Sequence, residues 1–186
     1  MSSLSLRHRM TSIVWPTHHK LLKQSLLVLL GSVLIAAFSQ VTIPIQPVPI
    51  TLQNFAVMII ACLYGWRLGA ATVALYLFEG AMGLPVFADL NFGFIHLVGP
   101  TGGYLWGFLP AVIATGFLLE RGWVQSRVTA FLAALVGDAV ILTLGVLMLS
   151  HFVGFAQAIA LGLMPFVGVE VVKLAILGFV IPKFWK

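Results

Sequence analysis

The chain has 186 residues, of which 61% are hydrophobic and only 8% are charged, and its mean hydropathy is +1.10. Soluble domains are typically about 25% charged, and ten basic plus five acidic side chains are too few to hydrate a 20.1 kDa globule. Disordered chains are polar, and the single cysteine, Cys62, excludes a disulfide scaffold. The composition therefore predicts a membrane protein.

Six apolar stretches are long enough to cross a bilayer as helices, which takes about 20 residues each. They are predicted at 21–39, 50–65, 68–84, 101–119, 128–149 and 164–182. Three prolines prevent a helix through residues 40–50, and a charged turn at 65–69 separates the second span from the third. Residues 152–163 are predicted as a re-entrant or interfacial piece, with the last span starting near Pro165. The predicted fold is an all-α integral membrane protein with six transmembrane helices in a single domain, 1–186.

The basic residues indicate the orientation of these spans. Six spans put both termini on one side, and nine of the ten Lys and Arg residues fall on that side, while the opposite loops contain none. The nine are Arg7, Arg9, Lys20, Lys23, Arg67, Arg121, Arg127, Lys183 and Lys186. The positive-inside rule predicts that both termini, including an N-terminal segment at 1–20, are cytoplasmic. The net charge of +5 therefore reflects topology rather than binding to nucleic acid.

Four ionisable residues fall within the predicted spans, where they are costly and usually face a cavity or a partner. They are Glu79, Asp138, Glu170 and Lys173. Glu170 and Lys173 are three residues apart, on one helical face, about 8 to 12 Å below the outer end of the last span. They form either a structural ion pair or an acceptor and a donor for a buried polar ligand. We prefer the ligand, because an unliganded buried pair is seldom better than apolar residues.

The other two ionisable residues have simpler interpretations. Asp138 follows Gly137 in the first half of the fifth span, where a structural hydrogen bond is favoured over a site. Glu79 lies toward the outer end of the third span and can reach the membrane interface.

A glycine-rich segment at 98–105 precedes the fourth span. Backbone N–H groups at a helix N-terminus favour an anion, and glycine lets a ligand approach the backbone closely. The alternative is a turn that serves only to reverse the chain. Gln53 and Asn54, at the start of the second span, could bond a ligand amide or only cap the helix.

The outer loop at 85–100 carries further candidates. Asp89 and Asn91 are polar, and four aromatic residues near this loop could cover an apolar ring: Phe87, Phe92, Phe94 and Tyr104. His96 and His151 are single outer-side histidines without a second ligand at helical spacing, so no metal site is predicted.

Three segments, in this order, resemble the BioY family, the biotin-binding S components of energy-coupling factor transporters. They are Ile-Pro-Ile-Gln-Pro-Val-Pro-Ile-Thr-Leu-Gln at 43–53, Gly-Ala-Met-Gly-Leu-Pro-Val-Phe-Ala at 80–88 and Gly-Pro-Thr-Gly-Gly-Tyr-Leu-Trp-Gly-Phe at 99–108. The resemblance covers about residues 21–182. It implies a six-helix, multi-pass protein of the bacterial inner membrane that binds biotin near the extracellular or periplasmic face.

The resemblance also implies roles for individual residues. The family has Pro-Phe followed by an Asp and, three residues on, a Lys; here Pro165-Phe166 precede Glu170 and Lys173, so a glutamate replaces the aspartate. This pair would contact the ureido ring, and the loop at 99–104 would line the pocket and seat the valerate carboxylate. The predicted binding residues are Gln53, Asn91, Gly99, Thr101, Gly102, Gly103, Tyr104, Glu170 and Lys173. No catalytic residue, metal or cofactor is expected, and biotin is the transported ligand.

The implied partners are a transmembrane energy-coupling subunit and two ATPases. The family docks through an Ala-x-x-x-Ala pattern in its first helix, whereas Leu29 and Val33 occupy those positions here. Nearby small residues that permit close packing are Ser25, Gly31, Ser32 and Ala36.

Three alternative functions stay open. One is an S component for another small vitamin. Another is an intramembrane enzyme using Glu170, Lys173 or Asp138, although no H-E-x-x-H or G-x-S-x-G motif is present. The third is a purely structural subunit, which would leave the buried Glu–Lys pair unexplained.

Overall fold

The computed structural model describes residues 20–184, with side chains described for 21–180. The predicted cytoplasmic segment at 1–20, apart from the backbone of Lys20, and the basic side chains of Lys183 and Lys186 lie outside this part of the chain. The helices are α1 (Lys20–Ser39), α2 (Gln53–Ala81), α3 (Ile95–Val98), α4 (Gly102–Glu120), α5 (Arg127–Val153), α6 (Phe155–Gly162) and α7 (Met164–Phe184). Two-residue strands β1 (Thr42–Ile43) and β2 (Ile50–Thr51) pair antiparallel, and 3₁₀ turns lie at Ala88–Leu90 and Trp123–Gln125.

Helix α2 is a hairpin of two spans rather than one straight helix. It is interrupted at Gly65, whose φ of 70° and ψ of −177° suit only glycine. A Cβ placed on Gly69 would lie 3.7 Å from the carbonyl oxygen of Ile60, although nine residues of straight helix would separate them by about 13 Å. Gln53 Nε2 likewise donates to Tyr76 Oη at 2.6 Å across 23 residues. The arms at 53–64 and 66–81 therefore cross the bundle in opposite directions.

The predicted six-span fold is confirmed. Five helical stretches within residues 20–184 are long and apolar enough to cross a membrane, and one of them is the α2 hairpin, which provides two crossings. The helix bounds lie within a few residues of the predicted spans. The predicted break at 40–50 overlaps the small β1–β2 ladder, which ends at Thr51, was not indicated by the sequence and closes the loop at 44–49.

Helix α6 occupies the segment for which a re-entrant or interfacial piece was predicted. Its eight residues rise only about 12 Å, too short to cross a bilayer. The chain reverses at Gly154, with φ 84°, and a Cβ on Gly162 would lie 2.6 Å from Leu149 Cδ2. Helix α6 therefore runs back along α5, and α7 starts below the outer end of α5.

Small residues let the helices approach closely. Gly103 and Gly107 are four residues apart on α4; a Cβ on Gly107 would lie 2.9 Å from the Cα of Ile141, and one on Gly103 would overlap the carbonyl of Leu144. The α4–α5 contact therefore brings backbone against backbone, as small-xxx-small packing does in membranes. Large apolar side chains instead cover the outside of the bundle, where lipid is the solvent.

Candidate functional site

A cavity of about 320 Å³ lies where the loops at 40–52 and 82–101 meet. This is the end of the bundle opposite the Gly65 turn and the loop at 121–126, near which Arg67, Arg121 and Arg127 lie. Small-molecule sites typically measure about 300–1,000 Å³. The cavity therefore has the size of a site for a compact ligand.

One wall of the cavity is aromatic and apolar. It combines Tyr104, Leu105 and Phe108, which share one face of α4, with Phe166 at the start of α7. The Tyr104 and Phe166 rings stack with centroids 6.0 Å apart and an interplanar angle of 23°. The Tyr104 hydroxyl donates to the carbonyl of Gly162 at 2.7 Å, which fixes the ring against α6. This wall suits the hydrocarbon part of a ligand.

The opposite side is formed by the proline loop and the start of α2. The loop contributes residues 44–49, and Thr51, Gln53 and Asn54 follow it. Gln53 Nε2 donates to Tyr76 Oη at 2.6 Å, and the Tyr76 hydroxyl donates to the carbonyl of Val86 at 2.9 Å. The hydrogen bond to Tyr76 therefore fixes the Gln53 side chain at the wall of the cavity.

A buried ion pair lies directly beneath this lining. Lys173 Nζ lies 2.6 Å from Glu170 Oε1 and donates to the carbonyl of Thr51 at 2.9 Å. Asn54 Nδ2 points at the same Glu170 oxygen from 3.5 Å. Glu170 is 2% exposed and Lys173 is 6% exposed. Thr51 and Asn54, which bond this pair, line the cavity, whereas Glu170 and Lys173 themselves do not. The predicted contact of the pair with a ligand stays a prediction.

The pair has unused hydrogen-bonding capacity. Glu170 Oε2 is buried without a partner among the described residues. The ammonium of Lys173 has three donors, of which Glu170 and Thr51 take two. The pair therefore retains one acceptor, on Glu170, and one donor, on Lys173.

Asp138 on α5 lies beside this pair. It is 2% exposed, and it interacts with Asn54, Glu170 and Lys173. Its Oδ1 has no hydrogen-bond partner within the described part of the chain. Asn54 is its uncharged polar neighbour, and the predicted structural hydrogen bond of Asp138 stays a prediction.

The end of α1 fastens the outer loop over the cavity. Gln40 Nε2 donates to the carbonyl of Phe87 at 2.9 Å, and the N–H of Leu90 donates to Gln40 Oε1 at 3.0 Å. Thr42 Oγ1 donates to Asp89 Oδ1 at 2.9 Å. Asp89 and Leu90 have φ of 57° and 58°, a left-handed conformation that is uncommon for such residues. We call these Gln40 and Thr42 bonds the clasp.

Four of the predicted binding residues line the cavity: Gln53, Asn91, Thr101 and Tyr104. The three predicted glycines do not. A Cβ on Gly102 would overlap the carbonyl of Leu97, and one on Gly103 that of Leu144, so both glycines serve close packing. The N–H of Gly102 donates to the carbonyl of Gly99 at 2.9 Å and is not offered to a ligand. Close packing is thus one requirement at Gly102 and Gly103, and the predicted ligand contact of the three glycines stays a prediction.

The structure also places the outer aromatic residues and Glu79. Phe87 lines the cavity, but Phe92 and Phe94 are exposed and do not cover it. Glu79, for which the sequence allows contact with the interface, is half-buried and accepts a hydrogen bond from Ser32 of α1.

Several lining residues were missed. Phe108 lies four residues after Tyr104, a spacing that puts both on one helical face and could have identified it. Phe166 belongs to the Pro-Phe motif and His96 to the outer loop, and the sequence did not indicate that either lines the cavity. Among the described residues no group of three His, Cys, Asp or Glu could hold a metal ion.

The six-span bundle, with a ligand-sized cavity under its outer loops and a buried polar cluster below it, defines a membrane protein of the substrate-binding type. The BioY family model matches residues 8–186, and the chain belongs to the BioY family.

Named relatives and a solved structure agree with this membership. The chain is 38% identical to the biotin transporter BioY of Thermotoga maritima over 154 residues, 82% of this chain and 90% of that protein. It is 39% identical to the biotin transporter BioY2 of Lactococcus lactis over 152 residues, 79% of this chain and 81% of the relative. Its fold matches a crystal structure of the S-component for biotin from an ECF-type ABC transporter, with a TM-score of 0.82 and 24% sequence identity. The match covers 91% of this chain and 94% of that chain.

Proposed function

We propose that this chain is the biotin-binding subunit of a membrane vitamin uptake transporter and captures biotin at the extracellular or periplasmic face. The observation that carries the proposal is the cavity itself, which joins an aromatic wall to a polar side backed by the Glu170–Lys173 pair. Relatives named as biotin transporters support the choice of ligand. Family membership also favours a transport subunit over an enzyme.

The chemistry of biotin matches the two sides of the cavity. Its ureido ring has two N–H donors and one carbonyl acceptor, and its sulfur-containing ring and side chain are mostly apolar. The unpartnered Glu170 Oε2 would accept a ureido N–H, and the third donor of Lys173 would bind the carbonyl. The apolar ring would lie against Tyr104 and Phe166. Asn54, which covers the pair, must turn aside or join the contact.

The valerate carboxylate of biotin requires a binding position of its own in the cavity. We propose that it lies toward Thr101, which lines the cavity at the start of α4, where the helix dipole favours an anion. Asn91 and His96, on the same side, line the cavity and are able to donate hydrogen bonds to it.

The orientation of the protein in the membrane follows from the basic residues near its turns. Arg67, Arg121 and Arg127 mark the end of the bundle away from the cavity. The positive-inside rule assigns that end, and with it both termini, to the cytoplasm of a bacterial inner membrane. The cavity then opens outward, as capture requires.

Uphill transport would require a transmembrane energy-coupling subunit and two ATPases as partners. On α1, Leu29 and Val33 are 50% and 64% exposed, so these docking positions face outward. The small residues Gly31 and Ser32 are buried instead: a Cβ on Gly31 would lie 2.6 Å from Thr72 Cγ2, and Ser32 bonds Glu79. Docking would therefore use the exposed face with Leu29, Val33 and Ser25, not the buried Gly31 and Ser32.

Calorimetric titration of the purified full-length chain tests the ligand. Biotin is expected to bind with one-to-one stoichiometry, while thiamine and riboflavin do not compete. Tight binding of another vitamin without biotin binding would favour an S component of different specificity. Mass spectrometry of the recovered ligand separates the enzyme alternative, since a binding subunit returns biotin unchanged.

A further inference from the structure

Two buried carboxyl groups, Asp138 and Glu170, interact with a single buried ammonium, and only Glu170 forms an ion pair with it. Asp138 on α5 and Glu170 on α7 are each 2% exposed, and Lys173 on α7 is 6% exposed. The groups that meet Asp138 are Glu170 and Lys173 from α7 and Asn54 from the first arm of α2. From helix α4, Thr115 packs against Gly137, the residue before Asp138. Its uncharged hydroxyl donates to the carbonyl of Ala133 at 3.1 Å.

The charges of this cluster do not balance if both acids are ionised. Two carboxylates and one ammonium would leave a net negative charge in a region that excludes water, where an uncompensated charge is costly. Lys173 is already engaged by Glu170 at 2.6 Å, with the Thr51 carbonyl as its other partner. Asp138 has an unpartnered Oδ1 and receives no comparable ion pair among the described residues.

We propose that Asp138 is a proton-binding site: it holds one proton, which keeps the cluster of Asp138, Glu170 and Lys173 electrically neutral. The proton resides on the group that lacks a cation of its own. Loss of this proton would place a second negative charge beside Glu170, and Asp138 would then compete with Glu170 and with a ligand carbonyl for the Lys173 ammonium. The occupancy of the proton site would thus control the polar side of the ligand cavity.

Infrared spectroscopy of the full-length chain in lipid nanodiscs tests this without any ligand. The sequence contains only two aspartates, Asp89 and Asp138, so aspartate labelled with ¹³C in its side-chain carboxyl isolates their carboxyl bands. At neutral pH we expect a protonated aspartic acid C=O band that persists in Asp89→Asn and disappears in Asp138→Asn. Should Asp138→Asn fail to fold, labelled wild type and Asp89→Asn still assign the band by elimination.

Two spectroscopic results would overturn the proposal. One is a labelled wild-type protein whose aspartates are both ionised at neutral pH. The other is a protonated band that comes only from a group other than Asp138. Such a band is lost in Asp89→Asn, or it does not shift with labelled aspartate and so belongs to a glutamate. Glu79→Gln, Glu120→Gln and Glu170→Gln then identify which of the three glutamates carries the proton.

A second measurement, which rests on the proposed function, follows biotin affinity from about pH 6 to about pH 9, where the carboxylate of biotin stays ionised. Wild-type affinity is expected to fall as Asp138 loses its proton, by at most about tenfold per pH unit for one linked proton. Asp138→Asn fixes the neutral state and should flatten this profile. Equal profiles in the two proteins would contradict the proposal, whereas absence of biotin binding would contradict only the proposed function and leave the infrared result to decide.

Discussion

The ammonium of Lys173 donates to the main-chain carbonyl of Thr51 at 2.9 Å, which ties α7 to the strand that precedes α2. Thr51 lines the cavity, so the bond connects the buried ion pair to the surface that would meet the ligand. A ligand that accepts a hydrogen bond from Lys173 would therefore interact with α7 and, through Thr51, with the proline loop at 44–49.

The aromatic wall predicts a loss of affinity when it is truncated. Phe166→Ala is expected to weaken biotin binding by about tenfold or more, because the ligand ring would lose the apolar surface that it packs against, and apolar burial contributes about 25 cal/mol per Å². Phe155→Ala is the matched control, since Phe155 is exposed on α6 and does not line the cavity. Calorimetric titration measures both variants. Equal losses in the two would show that the wall does not contact biotin.

The clasp predicts a slow release of ligand. Gln40→Ala removes the bonds to the Phe87 carbonyl and the Leu90 N–H. At about 1 kcal/mol for each hydrogen bond, dissociation of biotin should be accelerated by about tenfold or more. Ser150→Ala is the control because, within the described residues, the Ser150 hydroxyl donates only to the carbonyl of Leu147 in its own helix turn. Stopped-flow displacement reports the rate, and an unchanged rate in Gln40→Ala would mean that the clasp does not retain ligand.

The glycines of α4 predict a change in stability. Gly103→Ala would push a methyl group into the carbonyl of Leu144, and such overpacking typically costs about 1–3 kcal/mol. The matched substitution is Gly168→Ala on α7, where no atom lies within 4 Å of the new Cβ. It should be neutral or stabilise by up to about 1 kcal/mol. Thermal unfolding in detergent compares them, and equal stability would contradict the close α4–α5 contact.

The sequence predicted the spans well because lipid imposes a strong rule on them. A crossing helix must be apolar over about 20 residues, and the prolines at 44, 47 and 49 and the turn at 65–69 interrupt that pattern clearly. The direction of side chains around the helix axis was harder to predict. Gly102 and Gly103 lie at the predicted helix start, but which neighbour they face depends on α5, far away in sequence.

The Glu170–Lys173 pair illustrates the same limit. Its i, i+3 spacing predicted a contact that the structure contains, at 2.6 Å. That Asn54 and Thr51 cover the pair depends on residues more than 115 positions earlier in the chain. The local sequence around Asp138 does not indicate that its carboxyl group interacts with Glu170, so the sequence predicted no cluster there.

The most direct test of the central claim is a biotin titration of the purified full-length chain and its ion-pair variants. Wild type should bind biotin, and Glu170→Gln and Lys173→Met should each lose at least about 30-fold in affinity, as expected when one partner of a buried hydrogen-bonded charge pair is removed. The double variant removes both charges and so avoids an uncompensated one; it should fold and still bind weakly. The account would be contradicted if wild type failed to bind biotin, or if the folded variants bound it as tightly as wild type.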